Sequence, residues 1–288
     1  MTAPGRTASR GEDPPTPWVQ VRKVMGTVTS IHVVGGDHPG EDPRIVGAVQ
    51  EVIELLRGVD RVFTTFSEAS DIRRLARGEA GVGEVDSMVC EVADLCLAAR
   101  RDTHGLFDAW WKGWFDPTGL VKGWSVERAV DMYLAPLVES GLVEAVGVNT
   151  GGDMQLHTSA SSSWTWDVGI ADPGRRGEVV AHIPMTSGAV ATSGTGERGS
   201  HIVDPRTGRP AVSVSSATVV AGSLTQADLW ATTACVAGFD DLSWITSAQT
   251  TSGLLVAADG RTRRWDGPSE VLGDAAGQLG GHALGVSR

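Results

Sequence analysis

The longest regular pattern in the chain is a run of apolar residues at helical spacing over 43–63. Its apolar positions are Ile45, Val49, Val52, Leu56, Val59 and Phe63. Residues that recur every three or four positions lie on one side of an α-helix, so the pattern predicts an amphipathic helix with one buried face. Similar spacing predicts helices over 87–100 and 121–139, and a further helix is predicted over 226–237.

Strand-like segments follow a different pattern and concentrate in the second half of the chain. The β-branched segment 28–34 comes early, but from residue 145 onward short apolar or alternating segments follow one another. They are 145–149, 164–170, 178–185, 215–221 and 253–259. Because the helices come first and the strands after them, without regular alternation, the order predicts an α+β fold rather than a doubly wound one.

Residues 1–18 differ from the rest because they contain no apolar run to bury. We therefore predict a disordered N-terminal tail over 1–18 and a single domain over 19–288. The first residues lack the apolar segment of a secretory signal, and no run of about 18 apolar residues occurs further on. The sequence thus predicts neither export nor a membrane span, and we expect a cytoplasmic location.

The formal net charge of -11 at pH 7 narrows the range of partners. Nucleic acids and anionic membranes are bound through basic surfaces that displace counterions, so the acidic balance argues against both. An anionic small molecule would need cations gathered locally, or a metal ion.

The segment 193–210 contains the spacing of a dinucleotide-binding turn, with Gly194, Gly196 and Gly199 in a GxGxxG string. In a Rossmann fold these glycines leave a strand and open a helix. Here a segment without helical spacing follows and meets Pro205, so we reject the Rossmann interpretation. Backbone N–H groups of a loop rich in Gly, Ser and Thr can still bind an anion in another kind of site.

Charged side chains follow within the same segment. His201 can act as an acid or a base near neutral pH, and Arg206 can bind a phosphate through two parallel hydrogen bonds. Asp204 lies between them in sequence, so the alternative is an ordinary salt-bridged loop. The sequence alone leaves both interpretations open.

Lys122 follows a turn that contains Asp116 and Gly119, near the start of the third predicted helix. There its ammonium group and the helix N-terminus could converge on a phosphate. The alternative is a solvated lysine in the first turn of a helix. A second turn, Gly151–Gly152–Asp153, allows close approach of the backbone to a ligand but also occurs as a plain turn.

Asp228 and Thr232 are four residues apart in a predicted helix and therefore lie on one face of it. A carboxylate and a hydroxyl placed in this way can supply two oxygen ligands to Mg²⁺, which keeps water or substrate phosphates in its other positions. The alternative is that Asp228 only stabilises the N-terminal end of the helix.

In chain order, these segments resemble the motifs of the ApbE family of flavin transferases, the FAD:protein FMN transferases. The matching strings are MGTVTSIHV, FTTFSEASDIRRL, THGLFD, DPTGLVKGWSVERA, NTGGDMQ, VATSGTGERGSHIVDPRTGRP, ATVVAGSLTQADLWATTACVAG and GLLVAADG. They cover nearly all of the chain after the tail. The resemblance implies an α+β fold with mixed or antiparallel sheets flanked by helices, and an FAD-binding cleft between two lobes.

The resemblance also implies an activity, the transfer of the FMN moiety of FAD to a threonine or serine hydroxyl of an acceptor flavoprotein, with release of AMP. It implies Mg²⁺ on the FAD pyrophosphate. Asp228 and Thr232 match the metal-binding positions, and a backbone carbonyl in the turn that begins at Gly119 would complete the protein ligands. His201 matches a histidine close to the pyrophosphate. Either His201 or Asp228 is expected to accept the hydroxyl proton, and the sequence does not choose between them.

The other matching positions are expected to line the cofactor. They are Met25, Gly26, Phe66, Asp108, Asp116, Lys122, Asp153, Thr192, Ser193 and Arg206. Phe66 stands where a tyrosine is usual in the family. Between Asp108 and Asp116 the chain has only AWWKGWF, where longer members have a helical segment. This tryptophan-rich segment is either a wall of the cleft or ordinary packing.

Two other functions are consistent with the same residues. A metal-dependent FAD pyrophosphatase would use water in place of the protein hydroxyl and produce FMN and AMP. A flavin-binding carrier would leave FAD unchanged. The expected small-molecule partner is FAD in all cases, whereas only the transferase needs an acceptor flavoprotein.

Overall fold

The computed structural model describes residues 16–194, 202–248 and 250–271. Within them, a nine-stranded sheet has the strand order β1-β2-β3-β4-β7-β10-β11-β12-β13. These strands are β1 (Trp18–Val24), β2 (Thr27–Val34), β3 (Ala145–Thr150), β4 (Asp153–Thr158), β7 (Gly188–Gly194), β10 (Val214–Ala221), β11 (Ser252–Ala257), β12 (Thr262–Asp266) and β13 (Ser269–Val271). Neighbouring strands are antiparallel throughout this sheet.

Two hairpins lie outside the large sheet in the described part of the chain. One pairs β5 (Trp166–Ala171) with β6 (Val179–Met185), and the other pairs the short strands β8 (Val203–Asp204) and β9 (Arg209–Pro210). Antiparallel sheets combined with helices confirm the predicted α+β class.

The helices account for the amphipathic patterns in the sequence. They are α1 (Pro43–Phe63), α2 (Asp71–Ala76), α3 (Met88–Asp102), α4 (Thr118–Ala129), α5 (Ala135–Glu139) and α6 (Leu224–Ala237). A π-helical turn over Val130–Leu134 joins α4 to α5, so the helix predicted over 121–139 is confirmed but begins earlier, at Thr118. None of the described helices combines the length and apolar character that crossing a membrane requires.

Local sequence features explain why both ends of α1 are predicted accurately. The Asp42 side chain accepts a hydrogen bond from the Arg44 N–H at 2.8 Å, and a proline occupies the first turn. Both features favour the start of a helix. Helical spacing of the apolar residues then continues to Phe63, where the helix ends.

Some strands have no counterpart in the sequence prediction. One of them, β1, begins within the predicted tail. β1 begins at Trp18, the last residue of the predicted tail 1–18, and pairs with β2 along its whole length. Residues 1–15 lie outside the described residues. β1 is an edge strand whose Val19 and Val21 are exposed, so its apolar positions do not indicate a buried face.

The main core lies between one face of the large sheet and the helices α1, α4 and α6. Ile31, Val33, Leu56, Val148 and Trp230 are among its fully buried side chains. The opposite face packs against the β5–β6 hairpin. That second layer contains Leu156, Val168, Ile170, Ile183, Val220 and Leu254. Because successive residues of a strand point to opposite faces, the central strands contribute to both layers.

A separate helical cluster surrounds the C-terminal half of α1. It packs α1 against α2, α3 and the start of α4 through Val59, Phe63, Ile72, Val92 and Trp124. Residues of this cluster and of the main core both line the cavity described next. The fold therefore brings segments that are distant in sequence to one place.

Candidate functional site

A cavity of about 500 Å³ opens where the helical cluster meets the end of the large sheet. Its lining comes from the β1–β2 turn, the C-terminal end of α1 with residues 64–66, the segment 106–119, and the facing sides of α4 and α6. The volume is within the range of small-molecule sites.

Most of the positions expected from the resemblance lie in this cavity. Those in its lining are Met25, Gly26, Phe66, Asp108, Asp116, Gly119, Lys122, Ser193, Asp228 and Thr232. Asp153 and Thr192 lie behind Lys122, because Asp153 contacts the lysine and the Thr192 N–H donates to Asp153. Arg206 is not in the described lining and pairs with Asp204, as in the salt-bridged alternative. His201 lies outside the described residues.

One wall of the cavity holds a lysine between two buried carboxylates. The Lys122 ammonium contacts Asp153 Oδ2 and is 3.5 Å from Asp228 Oδ1. The other oxygen of each carboxylate accepts a backbone hydrogen bond, from Gly123 to Asp228 at 3.1 Å and from Thr192 to Asp153 at 3.0 Å. Lys122 is therefore not a solvated surface lysine. We name this group, Lys122 with Asp153 and Asp228, the lysine–aspartate cluster.

Burial of its carboxylate raises the pKa of Asp228 above the usual range of an aspartate. The Lys122 ammonium opposes this rise, and the Asp153 carboxylate adds to it. Removing a carboxylate from water disfavours its charged form, and a neighbouring negative charge has the same effect. Asp228 thus combines a perturbed pKa with a position in a cavity, which is typical of functional residues.

The N-terminal end of α6 is stabilised by residues other than Asp228. Ser223 accepts from the Gln226 N–H at 3.4 Å, Gln155 from the Leu224 N–H at 2.9 Å, and Glu127 from the Thr225 N–H at 2.9 Å. These bonds satisfy donors that a helix start leaves open. The alternative in which Asp228 acts only at the helix end is therefore not supported, because its carboxylate accepts instead from Gly123 on α4.

Gly123 allows α4 and α6 to approach closely enough for this contact. A Cβ atom at residue 123 would lie 2.6 Å from the Leu224 carbonyl oxygen and 2.9 Å from the Asp228 Cβ. Neither neighbour is the flexible end of a long side chain. The glycine after Lys122 is therefore required by helix packing, and this packing holds Asp228 beside Lys122.

We expect Gly123→Ala to destabilise the protein by about 1–3 kcal/mol, because an added methyl group in a packed interior forces the helices apart. Thermal or urea denaturation measures the change. Gly47→Ala in α1 is the matched control, since nothing lies within 4 Å of its added Cβ. That variant is expected to gain roughly 0.5–1 kcal/mol from the better helix propensity of alanine. Equal behaviour of the two variants would contradict the close approach at Gly123.

Oxygen donors suited to a hard cation face the cavity beside the cluster. Thr232 lies one helical turn after Asp228, and its hydroxyl is 3.0 Å from the Ser193 hydroxyl. The Gly119 position lines the same cavity. In the described part of the chain, no group of three or more His, Cys, Asp and Glu side chains could hold a metal ion. A cation here would depend on one carboxylate with neutral oxygens, a donor set that fits Mg²⁺.

The β1–β2 turn contributes two residues with unusual backbone conformations. Met25 has φ 53° and Gly26 has φ 70°, as a two-residue hairpin turn requires. A methionine rarely adopts a positive φ, so the fold holds it there at some energetic cost. The Ser125 hydroxyl lies 3.5 Å from the Met25 sulfur, which ties the turn to α4. Phe66 is another residue of the cavity lining, and it is 98% exposed to solvent.

The structure also places Asp60, Phe63 and Phe107 in the lining, which the sequence analysis does not name as site residues. Trp111 and Lys112 line it too, as in the cleft-wall alternative for their segment. Lys112 and Trp111 belong to the tryptophan-rich segment, whose lysine is its only charged residue. That lysine is the signal through which the sequence could have indicated a ligand-facing role.

Comparisons with known proteins agree with the motifs. The model of the ApbE family matches residues 25–115 and 112–255. An FAD:protein FMN transferase of Rhodobacter capsulatus is 38% identical over 121 residues, which are 39% of this chain and 23% of that protein. A protein of the same name from Treponema pallidum is 31% identical over 141 residues, which are 43% of this chain and 38% of that protein. The matches thus span well under half the length of these curated relatives.

Solved structures share the fold. An ApbE protein of Thermotoga maritima superposes with a TM-score of 0.73 at 22% identity, covering 86% of this chain and 97% of that one. The flavin transferase ApbE of Vibrio cholerae gives a TM-score of 0.64 at 19% identity, covering 88% and 97%. At sequence identities below 25%, this likeness concerns the arrangement of helices and strands.

Proposed function

Because the chain belongs to the ApbE family, we propose that it transfers the FMN moiety of FAD to a threonine or serine hydroxyl of an acceptor flavoprotein and releases AMP. The named relatives are FAD:protein FMN transferases. The observation that carries the proposal is the lysine–aspartate cluster, which gathers buried charge in a cavity of suitable size. The large sheet, whose strands lie between Trp18 and Val271, supports the further proposal that the described residues form one domain.

We propose that Mg²⁺ is held by the Asp228 carboxylate, the Thr232 hydroxyl and the backbone carbonyl of Gly119. When bound, it would neutralise charge on the pyrophosphate. Lys122 is 3.5 Å from the Asp228 oxygen and contributes a positive charge of its own on the same side of the cavity. Asp153 fixes the position of that ammonium group, and the Thr192 N–H in turn fixes Asp153.

In the proposed reaction, the acceptor hydroxyl oxygen forms a bond to the FMN phosphorus. The bond from that phosphorus to the bridging oxygen breaks, and AMP leaves with the bridging oxygen. The hydroxyl proton goes to a base, and Asp228 and His201 are the two proposed bases. Asp228 lines the cavity beside Lys122, which supports its place among these two residues. Placing the acceptor hydroxyl in line with the phosphorus is the main contribution of the cavity walls.

The remaining expected contacts belong to the same proposal. Met25, Gly26 and Phe66 would lie against a ring of the dinucleotide, which their place in the lining supports. Ser193 would act through Thr232, since the two hydroxyls are 3.0 Å apart. Arg206 would have to leave Asp204 to reach a phosphate, because the pair is closed by two hydrogen bonds.

We expect the protein to convert FAD and a flavoprotein acceptor into AMP and covalently flavinylated acceptor when Mg²⁺ is supplied. Mass spectrometry of the acceptor, with chromatography of the nucleotides, follows both products in one sample. An acceptor whose target hydroxyl is replaced by alanine is the control. Free FMN together with AMP in the complete reaction would identify a pyrophosphatase instead, and unchanged FAD would identify a carrier.

A further inference from the structure

The tryptophan-rich segment 109–115 has a packed side and a cavity side. Trp110 packs against Phe115 with ring centroids 5.0 Å apart, and Arg73 lies over the Trp114 ring at 5.3 Å. Trp111 and Lys112 line the cavity. The segment is therefore both ordinary packing and a cavity wall, and its one cation is on the cavity side.

The ammonium group of Lys112 is held by a buried carboxylate and two rings. It donates to Asp116 Oδ2 at 2.7 Å and lies 5.2 Å from the centre of the Trp111 ring and 5.9 Å from that of Trp114. The Asp116 side chain is only 5% exposed, whereas that of Lys112 is 41% exposed. A lysine ammonium has three donors. One donor serves Asp116, and Lys112 is part of the cavity lining.

Asp116 is itself fixed by groups other than Lys112. Its Oδ1 accepts from the Thr118 N–H at 3.2 Å and from the Thr118 hydroxyl at 2.7 Å, and its own N–H donates to the Ala109 carbonyl at 2.8 Å. These bonds already join the ends of the segment to the start of α4. An ion pair with one half-exposed partner adds little stability to such a framework. Structural support alone therefore does not account for a lysine at this position.

The charge balance of the cavity indicates a role for Lys112. In its described lining, the carboxylates of Asp60, Asp108, Asp116 and Asp228 face only two cationic side chains, Lys112 and Lys122. Lys122 is engaged by Asp153 and Asp228. A pyrophosphate carries two negative charges into these surroundings, and Lys112 adds a positive charge to those of Lys122 and the proposed Mg²⁺. Thr118, which shares Asp116 with Lys112, lies one helical turn from Lys122 on the same face of α4.

We propose that Lys112 is a second phosphate-binding residue of the cavity, and that Asp116 is its positioning residue rather than a contact of the dinucleotide. The proposal rests on the proposed function for the identity of the ligand as a dinucleotide. It assigns to Asp116 a role inside the protein, because each of its carboxylate oxygens accepts a hydrogen bond from a protein donor. The ligand class is the phosphate group of a nucleotide.

Equilibrium binding without turnover tests this assignment. The dissociation constants of AMP, FMN and riboflavin are measured by calorimetry for the wild-type protein and for Lys112→Met, which keeps an unbranched apolar side chain against the tryptophans. We expect the affinity for AMP, for FMN or for both to fall by about 10- to 100-fold, since a hydrogen bond to a charged group is lost. Riboflavin has no phosphate, so its affinity is expected to change by less than about twofold.

Two further variants separate phosphate binding from other effects. Arg100→Gln removes a cation that pairs with the cavity residue Asp108 at 3.3 Å but does not itself line the cavity, so all three affinities should stay near wild type. Asp116→Asn leaves an acceptor for Thr118 but no negative charge for Lys112. It should weaken the same ligands as Lys112→Met, and the double variant should be no weaker than Lys112→Met alone.

Two outcomes would overturn the proposal. One is an unchanged affinity of Lys112→Met for AMP and FMN, and the other is an equal loss for riboflavin, which would mean that the lysine only shapes the cavity. A wild-type protein that binds none of AMP, FMN and riboflavin would instead refute the proposed function. The two failures are therefore distinguishable in the same set of titrations.

Discussion

Asp228→Ala is expected to lower the rate of flavin transfer by about 100-fold or more while leaving the protein folded. The substitution removes the one carboxylate of the proposed cation site that lies on α6, and with it the partner of Lys122 on that side. The pyrophosphate would then keep more of its charge during attack. Transfer rate as a function of Mg²⁺ concentration, measured together with the melting temperature, tests the expectation.

Asp228→Asn is the matched control for packing. Its amide oxygen can still accept from the Gly123 N–H, so the contact between α4 and α6 is kept while the negative charge is lost. We expect it to be folded and nearly as inactive as Asp228→Ala. A folded Asp228→Ala protein with wild-type transfer would refute the proposed role of this carboxylate.

Lys122→Met is expected to produce the largest loss of stability among these substitutions. It leaves Asp153 and Asp228 as two buried carboxylates without their common cation, and breaking a buried ion pair costs about 3–5 kcal/mol. Because Lys122 is 26% exposed, we expect a loss at the lower end, about 3 kcal/mol. Lys112→Met is the control, since its pair is half-exposed and is expected to contribute about 1 kcal/mol or less. Urea denaturation in EDTA measures both.

The stability difference between wild type and Lys122→Met should grow as the pH rises. The pKa of Asp228 is raised in the folded protein, so the native state binds the proton more tightly than the unfolded chain does. The stability gained from this tighter proton binding is fully present below the unfolded aspartate pKa of about 4. It is lost as the pH rises through the pKa of Asp228 in the folded protein. Without Lys122 the folded pKa rises further, and this loss becomes larger. A difference that is constant with pH would show that Lys122 does not act through these carboxylates.

Local sequence patterns predict those parts of the fold whose burial is one-sided. α1 has a single buried face and a capped first turn, and its prediction is accurate at both ends. β7 has the sequence GAVATSG, whose first four residues are all buried in a central strand, so no alternation is visible. β4 is bounded by two neighbouring strands and is likewise buried on both sides. Such strands are recognised from their pairing in the sheet and not from the local sequence pattern.

The motifs predict some features of the candidate site and not others. The resemblance assigns Lys122, Asp228 and Thr232 to one site, and all three line the same cavity. It does not indicate that Gly123 donates to Asp228, because these residues are 105 positions apart and only tertiary packing pairs them. Nor does it indicate that the Asp116 carboxylate accepts hydrogen bonds from Lys112 and Thr118. Motifs identify positions, whereas roles depend on hydrogen-bond partners.

The distance along the chain between α4 and α6 also affects when the protein can bind its ligand during synthesis. The lysine–aspartate cluster needs Lys122, Asp153 and Asp228 together, and Asp228 lies in the last described α-helix. A nascent chain that has left the ribosome only as far as β10 would contain the first two residues without the third. Contacts of such large sequence separation form slowly because a long loop must close first. The cluster is therefore complete only after α6 docks onto the sheet, and a ligand whose binding needs Asp228 can bind only after that step.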